Sequence, residues 1–350
     1  MTQTKMRPYC TQPHVRRPAL PAGLGQPRVA AIQLVANKWI NGTPLTYFFK
    51  TVSGFAWPET QKAVVRNAFA TWKALDIGLT FSEVDDEADA RLIIGLHQGD
   101  GSWSYVGTDV LHNRRNGCNI NFGWDLTTTW GQATALHEIG HALGMPHEHQ
   151  NPKSGIVWNE QKVIEAFSGD PNNWEEDEIR WNILRHLAKA DVTGSAWDPW
   201  SIMHYPFDPG LITAPAPFDT KGTPENTELS GLDEKWMRKF YPPIAAAPGL
   251  PVNTPVPLPA EVGAQADFVF VPDTSGNYSL QAKGKADLKI AIAQAANGEA
   301  DRMLAVADDS ATPANAAIVQ RLEAGRPYRV SARTHYAGKA AMPELVMTLA

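Results

Sequence analysis

The stretch from His137 to His147, with the sequence H-E-I-G-H-A-L-G-M-P-H, places the strongest constraint on how this chain folds. His137 and His141 are four residues apart, so on a helix both side chains lie on one face. Gly144 follows three residues later, where a glycine can adopt the left-handed conformation that ends a helix and reverses the chain. The reversal brings His147 back toward the first two histidines. The sequence therefore predicts a helix, a turn and a cluster of three imidazoles.

Three clustered imidazoles are typical of a catalytic zinc site, because they leave a fourth position open for water. We therefore predict that His137, His141 and His147 bind one Zn2+ per chain. Glu138 lies beside the first ligand and can hold a water molecule without binding the metal, which predicts that it is a catalytic general base. Helix-surface histidines followed by a glycine cap are the alternative interpretation, and the complete spacing of the motif argues against it.

A second motif, S-I-M-H-Y, occupies residues 201–205. Together, H-E-x-x-H-x-x-G-x-x-H-E and S-I-M-H-Y resemble the astacin family of metzincin zinc endopeptidases. The resemblance implies that Met203 forms the methionine turn beneath the zinc. It also implies that Tyr205 is a zinc ligand at rest and a catalytic hydrogen-bond donor to the oxyanion afterwards. The glutamate that matches Glu148 pairs in that family with a new N-terminus made by propeptide removal, and an internal group is the alternative partner here.

Other segments agree with this resemblance, which covers residues 28–242, about two thirds of the chain. They are W-I-N-G-T-P-L-T-Y at residues 39–47, G-D-G-S-W-S-Y-V-G at 99–107 and L-S-G-L-D-E-K-W-M-R-K-F-Y-P at 229–242. The family's secreted catalytic domains carry disulfides, whereas this chain has only two cysteines. The implied activity is the hydrolysis of peptide bonds in protein or peptide substrates.

The hydrophobic pattern predicts an α+β metzincin-type domain, with a twisted mixed sheet, helices, and an active-site cleft between two subdomains. Predicted strands cover residues 28–35, 45–50, 79–84, 91–96 and 118–122, and predicted helices run from Pro58 to Gly78 and over residues 129–144, 159–167 and 173–187. We expect residues 91–96 to form the edge of the sheet, where an extended substrate would add as a further strand.

Changes in composition predict the domain organisation. Residues 1–27 indicate an extended N-terminal arm, and residues 28–242 the metallopeptidase domain. Dense prolines at 243–259 indicate a linker. Short alternating runs at 260–350 predict a small all-β sandwich, which resembles the bacterial pre-peptidase C-terminal domain.

Cys10 lies in the proline-flanked segment P-Y-C-T-Q-P, ahead of the predicted catalytic domain. A thiolate is a better zinc ligand than water, so Cys10 is a candidate ligand that occupies the open position and keeps the enzyme latent. The arrangement loosely resembles the cysteine switch of the matrixins, another metzincin family. A free thiol and a disulfide with Cys118 are the alternatives.

The composition excludes several other classes of protein. A net charge of −6 and the lack of a basic run argue against nucleic acid as a partner. No apolar segment approaches the roughly 18 residues of a membrane span, and the first residues lack the apolar core of a secretory signal. We expect a cytoplasmic protein, export by a non-classical route, or a mature form that has lost its signal. The sequence does not predict the oligomeric state.

A binding or adhesion protein is the rival function. In that interpretation zinc is purely structural, and the C-terminal sandwich makes the functional contacts. Glu138 favours the enzyme, because a structural zinc site needs no general base.

Overall fold

The computed structural model describes residues 7–15, 37–51, 57–188, 196–284, 286–296, 299–308, 316–337 and 342–350. The chain divides into two compact units. The first contains residues 1–16, 46–75 and 83–239, and the second contains residues 17–45, 76–82 and 240–350. The strand predicted at 28–35 and most of the predicted arm lie outside the described residues.

A mixed five-stranded sheet has the strand order β2-β1-β3-β5-β4. Its strands are β1 (Pro44–Phe49), β2 (Thr80–Glu83), β3 (Leu92–Gly95), β4 (Trp103–Ser104) and β5 (Ile120–Asn121). β3 runs parallel to both β1 and β5, and β4 runs antiparallel to β5. The prediction that residues 91–96 form the sheet edge is therefore wrong. All four residues of β3 are buried, as is typical of a strand inside a sheet, and β4 lies at the edge instead.

The described part of the chain contains six α-helices. They are α1 (Glu59–Lys73), α2 (Thr129–Ala142), α3 (Glu160–Phe167), α4 (Glu176–Ile179), α5 (Phe218–Lys221) and α6 (Gly231–Phe240). α1 packs against α2, where the Trp72 indole donates a hydrogen bond to the Leu136 carbonyl at 3.1 Å. α1 ends before the predicted Gly78, because Asp76 already adopts a left-handed conformation. The helix predicted over 173–187 is shorter, since only α4 and a π-helical turn at Arg180–Leu184 form.

The second unit contains two four-stranded antiparallel sheets, which confirms the predicted all-β sandwich. Their orders are β13-β10-β15-β8 and β12-β11-β14-β9. The strands are β8 (Val256–Pro257), β9 (Gln265–Phe270), β10 (Gly276–Lys283), β11 (Ala286–Ala296), β12 (Glu299–Asp308), β13 (Ala317–Leu322), β14 (Tyr328–Ala337) and β15 (Glu344–Leu349). Alternate residues such as Leu280, Ile290 and Val330 fill the core between them.

The proline-rich segment predicted as a linker is packed along the sandwich over part of its length. The Leu250 amide donates to the Val269 carbonyl, and the Asn253 amide donates to the Met347 carbonyl, each at 2.8 Å. β8 then pairs with β15. A small paired antiparallel β-ribbon, β6 (Val157–Trp158) with β7 (Ile212–Ala214), belongs to the first unit. No helix in the described residues has the length and apolar content to cross a bilayer.

Candidate metal centre

Helix α2 presents the two histidines of its last turns on one face, as their spacing predicts. The ring centroids of His137 and His141 lie 4.7 Å apart. The Thr128 hydroxyl begins the helix by accepting a hydrogen bond from the Gly131 amide. Gly144 follows the helix with a φ of 104°, a backbone conformation that residues with a side chain rarely adopt. The chain then reverses, and the His147 ring lies 4.6 Å from that of His141.

Carbonyl groups orient two of the imidazoles. His137 Nδ1 lies 2.7 Å from the Ile202 carbonyl oxygen, and His141 Nδ1 lies 2.6 Å from the Met145 carbonyl oxygen. Because Nδ1–H donates to these oxygens, Nε2 keeps a lone pair for a metal. Burial lowers the pKa of His137 to about 4 and holds the pKa values of His141 and His147 well below the usual range. Neutral imidazoles of this kind are the form that binds zinc.

The Cys10 thiol lies in the middle of the imidazole cluster. Its Sγ is 3.1 Å from Nε2 of both His137 and His147, and 3.8 Å from Nε2 of His141. Zn–N bonds of about 2.0–2.1 Å and Zn–S bonds of about 2.3 Å in a tetrahedron separate ligand atoms by roughly 3.3–3.6 Å. The four candidate ligand atoms all lie within 4.8 Å of one another. This donor set fits zinc. Both cysteines are free, so the alternative of a disulfide with Cys118 is wrong.

Glu138 is fully buried next to this cluster. Neither carboxylate oxygen accepts a hydrogen bond of normal geometry from the described residues. Burial raises its pKa well above the usual range, and the neighbouring Cys10 side chain offsets part of that rise. Glu138 and His137 both line a cavity beside the cluster. A carboxylate without a protein partner is suited to hold a water molecule or a substrate proton.

Tyr205 contacts both the Cys10 thiol and the imidazole cluster. Its hydroxyl is 2.7 Å from His147 Nε2 and 3.0 Å from Cys10 Sγ, and it donates to the Cys10 carbonyl oxygen at 2.7 Å. The side chain is 4% exposed, and burial raises its pKa well above the usual range. The structure therefore brings the Tyr205 hydroxyl to the imidazole cluster.

Met203 lies directly beneath helix α2. A Cβ atom built on Gly140 would approach the Met203 sulfur to 2.5 Å, so this close contact depends on the glycine. Asp233, from the first turn of α6, fixes the turn from below. Its carboxylate accepts hydrogen bonds from the Ser201 hydroxyl at 2.6 Å and the Ile202 amide at 2.8 Å. Asp233 thus holds Ile202, and the carbonyl of Ile202 orients His137.

Glu148 pairs with internal groups. One carboxylate oxygen accepts hydrogen bonds from the Asn151 side-chain amide at 2.8 Å and the Asp198 backbone amide at 3.0 Å. Burial raises the pKa of Glu148 to about 7. The carboxylate therefore holds the segment before the methionine turn, in line with the alternative given for it from the sequence.

Two further histidines in this region are buried. His149 Nε2 lies 2.8 Å from the Asn182 carbonyl oxygen, and His204 Nδ1 lies 2.7 Å from the Tyr205 carbonyl oxygen. The His149 ring is 4.6 Å from the Tyr205 ring, measured between centroids. Both histidines pack around the cluster without offering an atom to it.

The N-terminal segment that carries Cys10 crosses the site without forming a regular strand. Thr11 forms a parallel bridge with Trp103 of β4, and its amide donates to the Ser102 carbonyl at 2.9 Å. On the other side, the Gln12 amide donates to the Asn182 side-chain oxygen at 2.7 Å. The segment therefore adds to the true sheet edge at β4, and not at residues 91–96, where the sequence predicted that a peptide substrate would add. Sequence reasoning missed Asn182, and no local pattern in the sequence marks it.

A buried zinc-ligand motif on a helix, a methionine turn beneath it and a mixed sheet above define the metzincin class of zinc peptidases. The profile of the peptidase family described as Astacin matches residues 31–209. This match covers about half of the chain, and the chain belongs to the astacin family. Membership of this family makes zinc the cofactor of the site.

The chain is also similar to known metalloproteinases in sequence and in structure. The sequence is 26% identical to the zinc metalloproteinase nas-36 of Haemonchus contortus over 174 residues, which are 48% of this chain and 24% of that protein. It is 31% identical to the metalloendoproteinase 1-MMP of Arabidopsis thaliana over 133 residues, or 32% of this chain and 36% of that protein. The chain thus matches about a third or less of these relatives. The structure of myroilysin is 32% identical and covers 59% of this chain and 96% of that chain, with a TM-score of 0.52.

Proposed function

We propose that this protein is a zinc-dependent endopeptidase in which Glu138 is the general base. The observation that carries the proposal is the buried Glu138 carboxylate, which accepts no hydrogen bond of normal geometry from the described residues and lines a cavity beside His137. A structural zinc site has no use for such a group. Burying a carboxylate without a partner is costly, and such a cost is typical of a functional site.

The side chains around the cavity have separate roles in the reaction. Zinc, when bound, polarises the scissile carbonyl and lowers the pKa of a coordinated water to about 7. Glu138 takes the proton of the attacking water and passes it to the leaving amine. Tyr205 donates its hydroxyl to the oxyanion that develops on the substrate. His137, His141 and His147 would bind the ion through neutral imidazole rings, the form that their burial favours.

Polypeptides are the proposed substrates. The edge strand β4 already holds an extended segment of this chain through the amide of Thr11. Backbone hydrogen bonds of this kind do not depend on side-chain identity, so other peptides can use them. A deep site reached by an extended chain suits cleavage within a polypeptide.

The same geometry supports a latent state that Cys10 maintains. With zinc bound, the Cys10 thiolate would complete a set of four protein ligands with the three histidines, and no position would remain for water. The segment also occupies the edge of β4, where the substrate would bind. Release of the segment therefore opens both the metal and the cleft.

The general-base proposal is tested in zinc-loaded full-length protein that carries Cys10→Ser, with casein as substrate. Glu138→Gln should lower kcat by about 10²–10⁴-fold, while zinc content, measured by atomic absorption, stays at the wild-type value. Glu234→Gln, which changes an exposed carboxylate on α6, is the matched control and should keep full activity. Full activity in Glu138→Gln would contradict the role of this carboxylate.

The latency proposal is tested by comparing the two buried cysteines. Cys10→Ser should raise the activity of freshly purified protein, because serine is a weaker zinc ligand. Cys118→Ala, which removes the other thiol, should leave the activity as it was. Unchanged activity in Cys10→Ser would refute the latent role.

A structural zinc protein is the second candidate function, because three histidines and one cysteine make a closed site of the structural type. In that case the sandwich would carry the binding function. The two functions differ in one measurement. The structural interpretation predicts no casein cleavage by Cys10→Ser at any zinc concentration, whereas the endopeptidase proposal predicts cleavage that Glu138→Gln abolishes.

A further inference from the structure

An arginine of the N-terminal segment is held at the mouth of the active-site cavity. The Arg7 guanidinium forms an ion pair with Glu225, and its central carbon lies 5.3 Å from the ring centroid of Trp130. Arg7 belongs to the segment whose Cys10 thiol reaches the imidazole cluster. The segment therefore places a cation against one carboxylate and one indole face while it fills the cleft.

Both partners of Arg7 belong to the cavity or adjoin it. Trp130 lines the cavity together with Glu138, and Asn226, the chain neighbour of Glu225, lines it as well. The Asn226 side-chain amide donates to the Pro199 and Ser201 carbonyls, which fixes this loop to the methionine turn. The position of Glu225 at the cavity mouth is thus set by the same turn that supports the metal site.

Part of the cavity wall is apolar, and the Glu225 carboxylate belongs to the chain neighbour of its lining residue Asn226. The apolar lining is provided by Trp124, Trp130, Ala133, Ile202 and Pro206. Among the described residues the indole nitrogen of Trp130 has no hydrogen-bond partner. A lysine or arginine side chain fits these surroundings. Its aliphatic part can pack against the apolar wall, and its charged end can lie over the indole and beside the carboxylate.

The location of Glu138 decides which part of a substrate faces this cavity. The general base passes its proton to the leaving amine, so the residue that provides this amine lies next to Glu138. Glu138 itself lines the cavity. The side chains on the leaving-amine side of the scissile bond are therefore the ones that reach Trp130 and Glu225.

We propose that Glu225 and Trp130 select substrates with a lysine or arginine on the leaving-amine side of the scissile bond. This inference rests on the proposed endopeptidase function. Arg7 occupies the same cation site in the latent chain, and the substrate side chain replaces it when the segment leaves.

The first experiment digests a peptide mixture made from a whole proteome with zinc-loaded Cys10→Ser protein, and mass spectrometry reads the sequence at each new amino terminus. We expect lysine and arginine to exceed their background frequency within the first two residues of the new termini. Cleavage with no such excess overturns this inference and leaves the endopeptidase function intact. A complete lack of cleavage overturns the endopeptidase function, and this inference with it.

The second experiment measures kcat/KM for a matched pair of fluorogenic peptides. One peptide has arginine directly after the cleaved bond, and the other has glutamine there. The ratio of the two values cancels any change in the fraction of latent enzyme. Both Arg7 and Glu225 are partly exposed, at 47% and 34% of their side chains. An ion pair of this kind contributes modestly, so Glu225→Gln should lower the ratio by about twofold to fivefold.

Charge reversal and a nearby control complete the test. Glu225→Lys should lower the ratio further than Glu225→Gln, because a lysine repels the substrate cation. Glu228→Gln removes an exposed carboxylate three residues along the same loop and should keep the wild-type ratio. A ratio that is equal in wild type, Glu225→Gln and Glu225→Lys overturns the assignment of Glu225.

Discussion

Burial controls the protonation state of each side chain at the metal centre. The pKa of His137 falls to about 4 because burial disfavours its charged form, so the imidazole is neutral at physiological pH. The same effect raises the pKa of Tyr205, whose hydroxyl keeps its proton and can donate it in a hydrogen bond. Burial also raises the pKa of the Glu138 carboxyl above that of an ordinary surface carboxylate, and the Cys10 side chain offsets part of this rise.

Removal of the Tyr205 hydroxyl tests its role at the residue scale. Tyr205→Phe should lower kcat by about 10²–10³-fold, because one donor to the developing oxyanion is lost. KM for a peptide substrate should change little. The measurement is steady-state hydrolysis of a fluorogenic peptide by zinc-loaded Cys10→Ser protein with and without Tyr205→Phe. Tyr241→Phe removes another buried hydroxyl, in the second unit, and should keep the kcat of the parent. A kcat in Tyr205→Phe that equals this control would contradict the oxyanion role.

The start of helix α6 links secondary structure to the metal centre at the element scale. Ser230 and Asp233 form a capping box, in which the Ser230 hydroxyl accepts from the Asp233 amide at 3.0 Å and the Asp233 carboxylate accepts from the Ser230 amide at 2.9 Å. The same carboxylate binds the Ile202 amide, and the Ile202 carbonyl orients His137. The start of α6 therefore positions the His137 imidazole through one intervening residue, Ile202.

Asp233→Ala should destabilise the protein by about 1–3 kcal/mol for each buried donor that loses its partner. It should also weaken zinc binding by about 10–100-fold, because the residue that orients His137 loses its support. Urea unfolding measures the first effect, and competition with a chelator measures the second. Glu234→Gln, on the exposed side of the same helical turn, should change neither. Unaltered zinc affinity in Asp233→Ala would show that the turn does not orient the imidazole.

The elements differ in how far their own residues predict them. Helix α2 follows the predicted bounds closely, because its cap at Thr128 and its stop at Gly144 are local signals. The capping box at Ser230 likewise marks the start of α6, yet nothing local shows that Asp233 contacts the methionine turn. The position of β3 within its sheet was predicted wrongly, since strand order depends on partners that are distant in sequence.

Within the second unit, a buried polar layer covers one face of a sandwich sheet. Along β14, Arg329, Ser331 and Arg333 alternate with core residues, yet each is at most 4% exposed. The Arg333 guanidinium donates to the Trp39 carbonyl at 2.6 Å and to the Lys38 carbonyl at 2.7 Å. Residues 38–39 therefore belong to the same compact unit as the sandwich, although about 290 residues separate them from β14 along the chain.

His335, in the same layer, gives the second unit a pH-dependent stability. Burial is the main reason that its pKa falls from 6.5 to about 3, and the neighbouring Arg333 lowers it further. Between these two values the unfolded chain binds the extra proton and the folded chain does not. The free energy of unfolding should therefore fall as the pH drops from 6.5 toward 3, by up to about 1.4 kcal/mol per pH unit.

Urea midpoints at pH 7 and pH 4.5 check this whole-molecule effect. His335→Gln should show a smaller loss of stability on acidification than wild type, since the titrating ring is gone. All other buried histidines are the same in both proteins, so the difference isolates His335. The exposed His112→Gln serves as the control and should keep the wild-type loss. An equal loss in wild type and His335→Gln would contradict the prediction.

The sequence by itself determined the imidazole cluster, the position of Glu138 beside it, and the presence of a mixed α+β fold and an all-β sandwich. These features depend on spacing within a helix, on a left-handed glycine and on strand alternation, all of which act over a few residues. The sequence made Cys10 one of several alternatives, and the tertiary structure decided between them by bringing its thiol to the site, 127 residues from His137 in sequence. The tertiary structure also brought Glu225 and Trp130 together around Arg7 and buried the polar face of β14. Such contacts depend on which distant segments pack together, and no local pattern of residues records that choice.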